Sequence, residues 1–239
     1  MKILATGTAK LGLKLNDEQL SRFETFYREL IDWNKKFNLT AITEYDEVQT
    51  KHFLDSLSVA LALPEVPLPQ GYRVIDIGTG AGLPGIPLKI AFPQIKLALL
   101  EATRKKAGFL EHVKSVLGLN DVEVVALRAE EAAHLPAYRE KFDLALVRAV
   151  AALPALVEIA LPFLRAGGRL IAQKKGDIED EVASSKTAIK KLGGKLAEVK
   201  LIEIPELADN RFLVVIDKVA PSPGIYPRRA GLPTKQPIK

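Results

Sequence analysis

The stretch from Arg73 to Leu88, RVIDIGTGAGLPGIPL, constrains this chain more than any other. Val74, Ile75 and Ile77 are apolar and β-branched, which predicts a short buried strand. Asp76 interrupts that run just before its end. Gly78, Gly80 and Gly82 follow at alternate positions, and glycine permits dihedrals and close approaches that a Cβ blocks. Pro84 and Pro87 stand where a helix would begin, a place that tolerates proline because the first-turn N–H groups have no intrahelical acceptor. Strand, glycine turn and helix start make half of a βαβ unit, with a backbone shaped to lie against a ligand.

Two ligand classes fit such a turn. Gly80, Gly82 and Gly85 spell G-x-G-x-x-G, the dinucleotide fingerprint. Read from Asp76, the same stretch is D-x-G-x-G-x-G, which resembles the pattern of S-adenosylmethionine-dependent methyltransferases. That cofactor has a cationic amino-acid end, which Asp76 can serve directly or through water, whereas a pyrophosphate would be repelled. A second apolar strand, 95–100, ends at Glu101. A carboxylate about 20 residues past the glycines is placed to accept the two ribose hydroxyls. Both ligand classes stay open on these residues alone.

Composition sets the limits. The 239 residues carry 48% apolar and 26% charged side chains, and they can bury one good core. Cysteine is absent, which removes disulfides and thiolate metal sites. His52, His112 and His134 lack zinc-ligand spacing, so no metal is expected. No apolar run reaches membrane-spanning length and no signal-peptide core is visible, so the cytoplasm is the expected location. The net charge is +5, and residues 220–239 hold Arg228, Arg229, Lys235 and Lys239 with no acid.

Three parts are expected: a helical extension over 1–70, a nucleotide-binding α/β domain over 71–219, and a basic Pro-rich tail over 220–239. Asn16 and Gln19 form a capping box ahead of a helix carrying Leu20, Phe23, Tyr27, Leu30 and Ile31. A second helix covers 44–61, and the two pack on the sheet or cover the ligand. Strands 122–127, 142–147 and 169–173 alternate with helices 103–117, 153–164 and 177–192, which predicts a parallel sheet. Segments 196–204 and 212–216 leave no room for a helix between them and should form an antiparallel edge hairpin. The fold class is therefore α/β and Rossmann-like, with a mostly parallel seven-stranded sheet. Ligands of such sheets bind at the carboxyl ends of the strands, where Asp76, Glu101, Arg128–Glu130, Arg148 and Lys174 stand. The tail has five prolines and is read as extended, helix-free and remote from the glycine turn.

Several stretches together resemble one family, the ribosomal RNA small-subunit methyltransferase G family, also called glucose-inhibited division protein B. They are WNKKFNLTAI (33–42), KHFLDSL (51–57), DIGTGAGLPGIPL (76–88), RAE (128–130), VRAVA (147–151), KKG (174–176), NRFLVVI (210–216) and YPRRAGLPTKQPI (226–238). The resemblance implies methyl transfer from S-adenosylmethionine to N7 of a guanine in 16S ribosomal RNA. It also implies cofactor contacts at Gly78, Leu83, Glu101, Ala102, Thr103, Ala129, Glu130 and Arg148. The expected partner is 16S ribosomal RNA or the small ribosomal subunit particle, and the expected state is a monomer.

Arg148, which ends a strand at the ligand edge, is the candidate catalytic residue; guanine N7 carries a free lone pair, so no general base or nucleophile is expected. Asn38, His52, Asp55 and Ser56 either line the substrate pocket or tie the extension to the core. Lys174, Arg211, Arg228 and Arg229 are candidate contacts to RNA phosphates. Trp33 and Phe37 either stack on bases or pack in the core. Two other function classes fit less of the pattern: a nicotinamide enzyme, and a non-catalytic RNA-binding or assembly protein.

Overall fold

A computed structural model of the chain describes residues 1–207 and 210–238, so Lys239 of the basic tail lies outside the described residues. Seven strands form one sheet: β1 Arg73–Ile77, β2 Lys96–Leu100, β3 Val122–Val125, β4 Phe142–Arg148, β5 Leu164–Lys175, β6 Gly194–Ile202 and β7 Arg211–Lys218. Their order is β3-β2-β1-β4-β5-β7-β6. The first five are parallel, while β7 runs antiparallel to both β5 and β6. The edge hairpin and the parallel core are as the sequence implies. Strand order reverses between β1 and β4, the position where open α/β sheets bind ligands.

Strand side chains alternate between two cores, as their period of two requires. Val74, Leu97, Leu99, Leu144 and Leu146 face one layer, with α2 (Asp17–Phe37) and the helices Gly85–Ala91 and Arg104–Val116. Ile75, Ile77, Leu100, Ala145 and Val147 face the other, with the helices Leu153–Ala160 and Glu179–Lys191. The capping box at Asn16 is formed, and the Gln19 amide also donates to the Ile90 and Ala91 carbonyls at 3.0 Å each. One side chain thus starts α2 and docks it. Half-buried Trp33 packs on Phe37, Phe109 and His112 at the edge of the core.

Four local expectations need correction. A first helix, α1 (Lys2–Lys10), precedes α2. The second predicted helix is a continuous helical run over 45–62 that widens to a π-helix at Val48–Leu54. The helix from Leu153 stops at Ala160 because Pro162 cannot continue it, and β5 begins already at Leu164. The tail contains one helical turn, Leu232–Lys235, with proline tolerated in its first turn.

The tail is a strap across the second core. Tyr226 and Ile238 are buried in it. The Arg228 guanidinium forks onto Glu158, Nε to Oε1 at 2.8 Å and Nη2 to Oε2 at 2.6 Å, and the Arg228 N–H donates to Oε1 at 2.8 Å. Glu158 is fully buried. The guanidinium expected on RNA phosphate is committed to that carboxylate. Arg228→Ala strands the buried charge, and urea denaturation is expected to show a loss of roughly 3 kcal/mol. Combining it with Glu158→Leu should recover part of that loss.

Candidate functional site

The glycine turn is built on a buried acid. Asp76 is fully buried, and its Oδ2 accepts from the Thr79 hydroxyl at 2.5 Å and the Gly85 N–H at 2.8 Å. Gly78, Gly80 and Gly82 all adopt positive φ, at 67°, 60° and 86°. A Cβ on Gly85 would lie 2.7 Å from Leu99 Cδ2 and 2.9 Å from Asp76 Oδ2. A Cβ on Gly80 would meet nothing within 4 Å, so the turn presents its backbone to open space there. Glu101 braces the turn from β2: Oε2 accepts from the Gly80 N–H at 3.1 Å and Oε1 from the Thr103 N–H at 2.7 Å.

A cavity of about 300 Å³ opens beside this turn. Gly78, Glu101, Ala102, Thr103, Ala129 and Glu130 line it, and Leu127 and Ile159 make one end apolar. Val150 and Ala151, from the loop after β4, border it as well.

A second cavity, of about 530 Å³, lies on the other side of that loop. His52 and Asp55 supply one wall from the 45–62 run, and Arg148, Gln173, Lys174 and Arg211 supply another from the strand ends. Asp55 bridges two guanidiniums, with Oδ2 2.9 Å from Arg148 and Oδ1 3.0 Å from Arg211. His52 Nδ1 lies 3.1 Å from Arg148 Nη2. A guanidinium only donates, so Nδ1 accepts and the ring proton sits on Nε2, 2.8 Å from Thr40 Oγ1. The Asn34 side chain accepts from the Thr40 N–H at 2.8 Å, which ties the loop after α2 to this histidine. Lys174 donates to the Ala151 carbonyl at 2.8 Å and pairs with Glu181 at 2.6 Å, pinning the loop between the cavities. Among the described residues, no cluster of three or more His, Cys, Asp or Glu could hold a metal ion.

A family model described as rRNA small subunit methyltransferase G matches residues 19–209. A ribosomal RNA small subunit methyltransferase G from Dehalococcoides mccartyi (strain CBDB1) is 51% identical over 238 residues, spanning all of both chains. The protein of that name from Alkaliphilus metalliredigens (strain QYMF) is 46% identical, over 99% of this chain and 98% of its own. This chain belongs to the rRNA small subunit methyltransferase G family. It is an S-adenosylmethionine-dependent rRNA methyltransferase, and the dinucleotide reading of the glycines is set aside. The fold agrees. A SAM-dependent O-methyltransferase from Thermotoga maritima superposes with a TM-score of 0.54 at 19% identity, covering 81% of this chain and 72% of that one. M. jannaschii TYW2 in complex with AdoMet gives 0.50 at 17% identity, covering 63% and 68%.

The methyltransferase's cavities gather some of the sequence candidates and not others. Gly78, Glu101, Ala102, Thr103, Ala129 and Glu130 border the first cavity, and Gly80 lies at the turn beside it. Asp76, Gly82 and Leu83 lie beneath it instead. Asp76 is sealed under the turn, Ile86 occupies the side of Gly82, and Leu83 belongs to the core. Asp76 therefore shapes the turn rather than meeting a cationic end. Asn38 is exposed and caps α2 at φ 49°, away from both linings. Ser56 is buried and donates to the His52 carbonyl at 2.5 Å, which holds the helical run. Arg229 is exposed on the strap. Thr40, Gln173 and Glu181 were not singled out by sequence, although Gln173 directly precedes the KKG stretch.

Two buried groups give opposed pH dependence. Burial and the Arg148 guanidinium push the His52 imidazole down to about 4. Unfolded, it takes a proton near the ordinary value of about 6.5, so its contribution to stability is complete above that pH and lost as pH falls toward 4. Burial raises the Asp76 carboxyl to about 6 despite the Thr79 and Gly85 bonds. Its contribution has the reverse sign, present below about 4 and lost as pH rises through 6. His52→Gln is expected to spare roughly 2 kcal/mol of the stability lost between pH 8 and pH 5, read by urea denaturation. Asp76→Asn is expected to steepen the same loss.

Proposed function

We propose that this enzyme methylates N7 of a guanine in 16S ribosomal RNA, with S-adenosylmethionine on the glycine turn and the target base in the Arg148 cavity. One observation carries this reading: both cavities share the loop after β4. Ala149 lines the larger one, and Val150 and Ala151 line the smaller. A donor in one and an acceptor in the other would meet at the tip of β4, where the strand order reverses.

The residues present suit the cofactor. The exposed Gly78 and open Gly80 offer backbone to a close ligand, and the Glu101 carboxylate stands at the ribose position. When bound, S-adenosylmethionine supplies an electrophilic methyl on its sulfonium sulfur. Guanine N7 brings its own lone pair, so the protein's task is alignment, worth several kcal/mol without any general base. Asp55 lies between the Arg148 and Arg211 guanidiniums and offsets part of their charge, and His52 stays neutral at pH 7. The cavity thus places a purine that gains positive charge on methylation beside a guanidinium whose charge Asp55 partly offsets. Lys51 and Lys175 at its rim, together with exposed Arg229, supply charge for RNA phosphates.

Transfer of tritiated methyl to unmethylated small-subunit particles, followed by recovery of 7-methylguanosine, tests the reading. Transfer to another atom or to no RNA would refute it. Arg148→Lys, which keeps the charge but loses the fork, is expected to slow single-turnover transfer about 10²-fold while S-adenosylhomocysteine affinity holds. Glu101→Ala should cost roughly 1.5–3 kcal/mol of S-adenosylhomocysteine affinity by calorimetry. Replacing both Lys175 and Arg229 by alanine should lower the salt slope of particle binding by about two units.

A further inference from the structure

We propose that the C-terminal strap is part of the cofactor site, seating the nucleoside end through Gly231 and Thr234. This rests on reading the smaller cavity as the site for S-adenosylmethionine. That cavity runs from Gly78 at the tip of β1, past Glu101 at the tip of β2, to Leu127–Glu130 beyond β3. A nucleoside with its ribose on Glu101 has its base on the side away from β1, toward β3. There the segment after β3 provides Leu127 and Ala129, and the helix Leu153–Ala160 provides Ile159, apolar groups suited to a purine face. Arg128 and Glu130 line that side too, and Gly231 and Thr234, contributed by the strap, close it.

The strap is fixed at this position by bonds to the segment that lines the cavity. The Gly231 N–H donates to Glu130 Oε1 at 2.9 Å. His134 Nε2 lies 2.8 Å from the Pro227 carbonyl, and Arg139 donates to the Tyr226 carbonyl at 2.8 Å. The Arg228 fork onto Glu158 holds the strap next to Ile159, the following residue and itself a lining residue. Thr234 is exposed, so its hydroxyl is available both to donate and to accept, as the edge of an adenine requires. The geometry therefore makes the strap a nucleoside-binding element and corrects the expectation that the tail lies remote from the glycine turn.

Calorimetry with two ligands tests this: S-adenosylhomocysteine, and 5′-methylthioadenosine, which keeps the nucleoside and lacks the amino-acid end. Thr234→Trp is expected to weaken both by the same factor, about tenfold or more, with an unchanged urea midpoint because the residue is exposed. Thr234→Ala should weaken both a few-fold. In the wild-type chain, S-adenosylhomocysteine should slow hydrogen exchange of the Gly231 amide, a readout that needs no variant. Wild-type affinity for both ligands in Thr234→Trp would overturn the proposal. So would loss of S-adenosylhomocysteine alone, or an unprotected Gly231 amide. A wild-type chain that binds neither ligand would instead overturn the cofactor reading itself.

Discussion

The carboxylate of Asp76 is the constraint on which the ligand edge of the sheet depends. It is sealed from solvent, and its Oδ2 takes both the Thr79 hydroxyl and the Gly85 N–H. Its Oδ1 has no partner, and burial raises the group to about 6. An uncompensated buried acceptor costs about 1–3 kcal/mol. That cost is borne where the chain must leave β1, turn through three positive-φ glycines and enter the helix Gly85–Ala91. The acid fixes both ends of that turn at once. Once it is fixed, the Gly80 N–H meets Glu101, Glu101 meets Thr103, and one wall of the smaller cavity is complete. The requirement for glycine at 85 follows from the same carboxylate, which stands where a Cβ would go.

A second carboxylate organises the larger cavity by a different principle. Asp55 is nearly buried and accepts from two guanidiniums on different strands, Arg148 at the end of β4 and Arg211 at the start of β7. Bringing these cations together without an anion between them would be costly in a site of low dielectric. The acid comes from the 45–62 run, outside the sheet. The extension is thus more than a cover: it contributes the charge that lets the strand tips converge. His52, three residues earlier, adds an uncharged acceptor for Arg148, and the loop after α2 meets its other ring nitrogen through Thr40.

What could be read from the sequence divides along the range of the interactions involved. The strands, the edge hairpin and the capping box rest on local patterns, and the structure has them with shifted ends. Glu101 and the glycines could be singled out because a strand, a glycine turn and a following acid are a local motif, and the structure brings Gly78, Gly80 and Glu101 together at one turn. Asp76 was found for the wrong reason, since its position at the strand tip suggested contact with ligand and its burial was invisible. The pairs Thr40–His52, Asp55–Arg211, Lys174–Glu181 and Arg228–Glu158 join residues that no periodicity links. The strap misled most. Its proline content and lack of acids describe a segment with no core of its own, but Tyr226, Ile238 and the Glu158 pair bind it to another segment's core.

The loop between the two cavities shows how these parts act together. Ala149 holds φ at 56°, a conformation that costs a non-glycine residue about 1–2 kcal/mol. Lys174 offsets it by donating to the Ala151 carbonyl, and Glu181 accepts both that lysine and the Leu153 N–H. Val150 stands over Gly78, where a Cβ on the glycine would come within 2.7 Å of it. The bent loop therefore sets how far apart the two cavities lie. In-line transfer between a bound donor and a purine nitrogen tolerates little error in that separation, because its rate comes mainly from alignment. A loop free to relax to ordinary dihedrals would let the separation vary. The pair between Lys174 on β5 and Glu181 on the helix Glu179–Lys191 holds the strained loop in place, and this gives Lys174 a role in geometry as well as in charge.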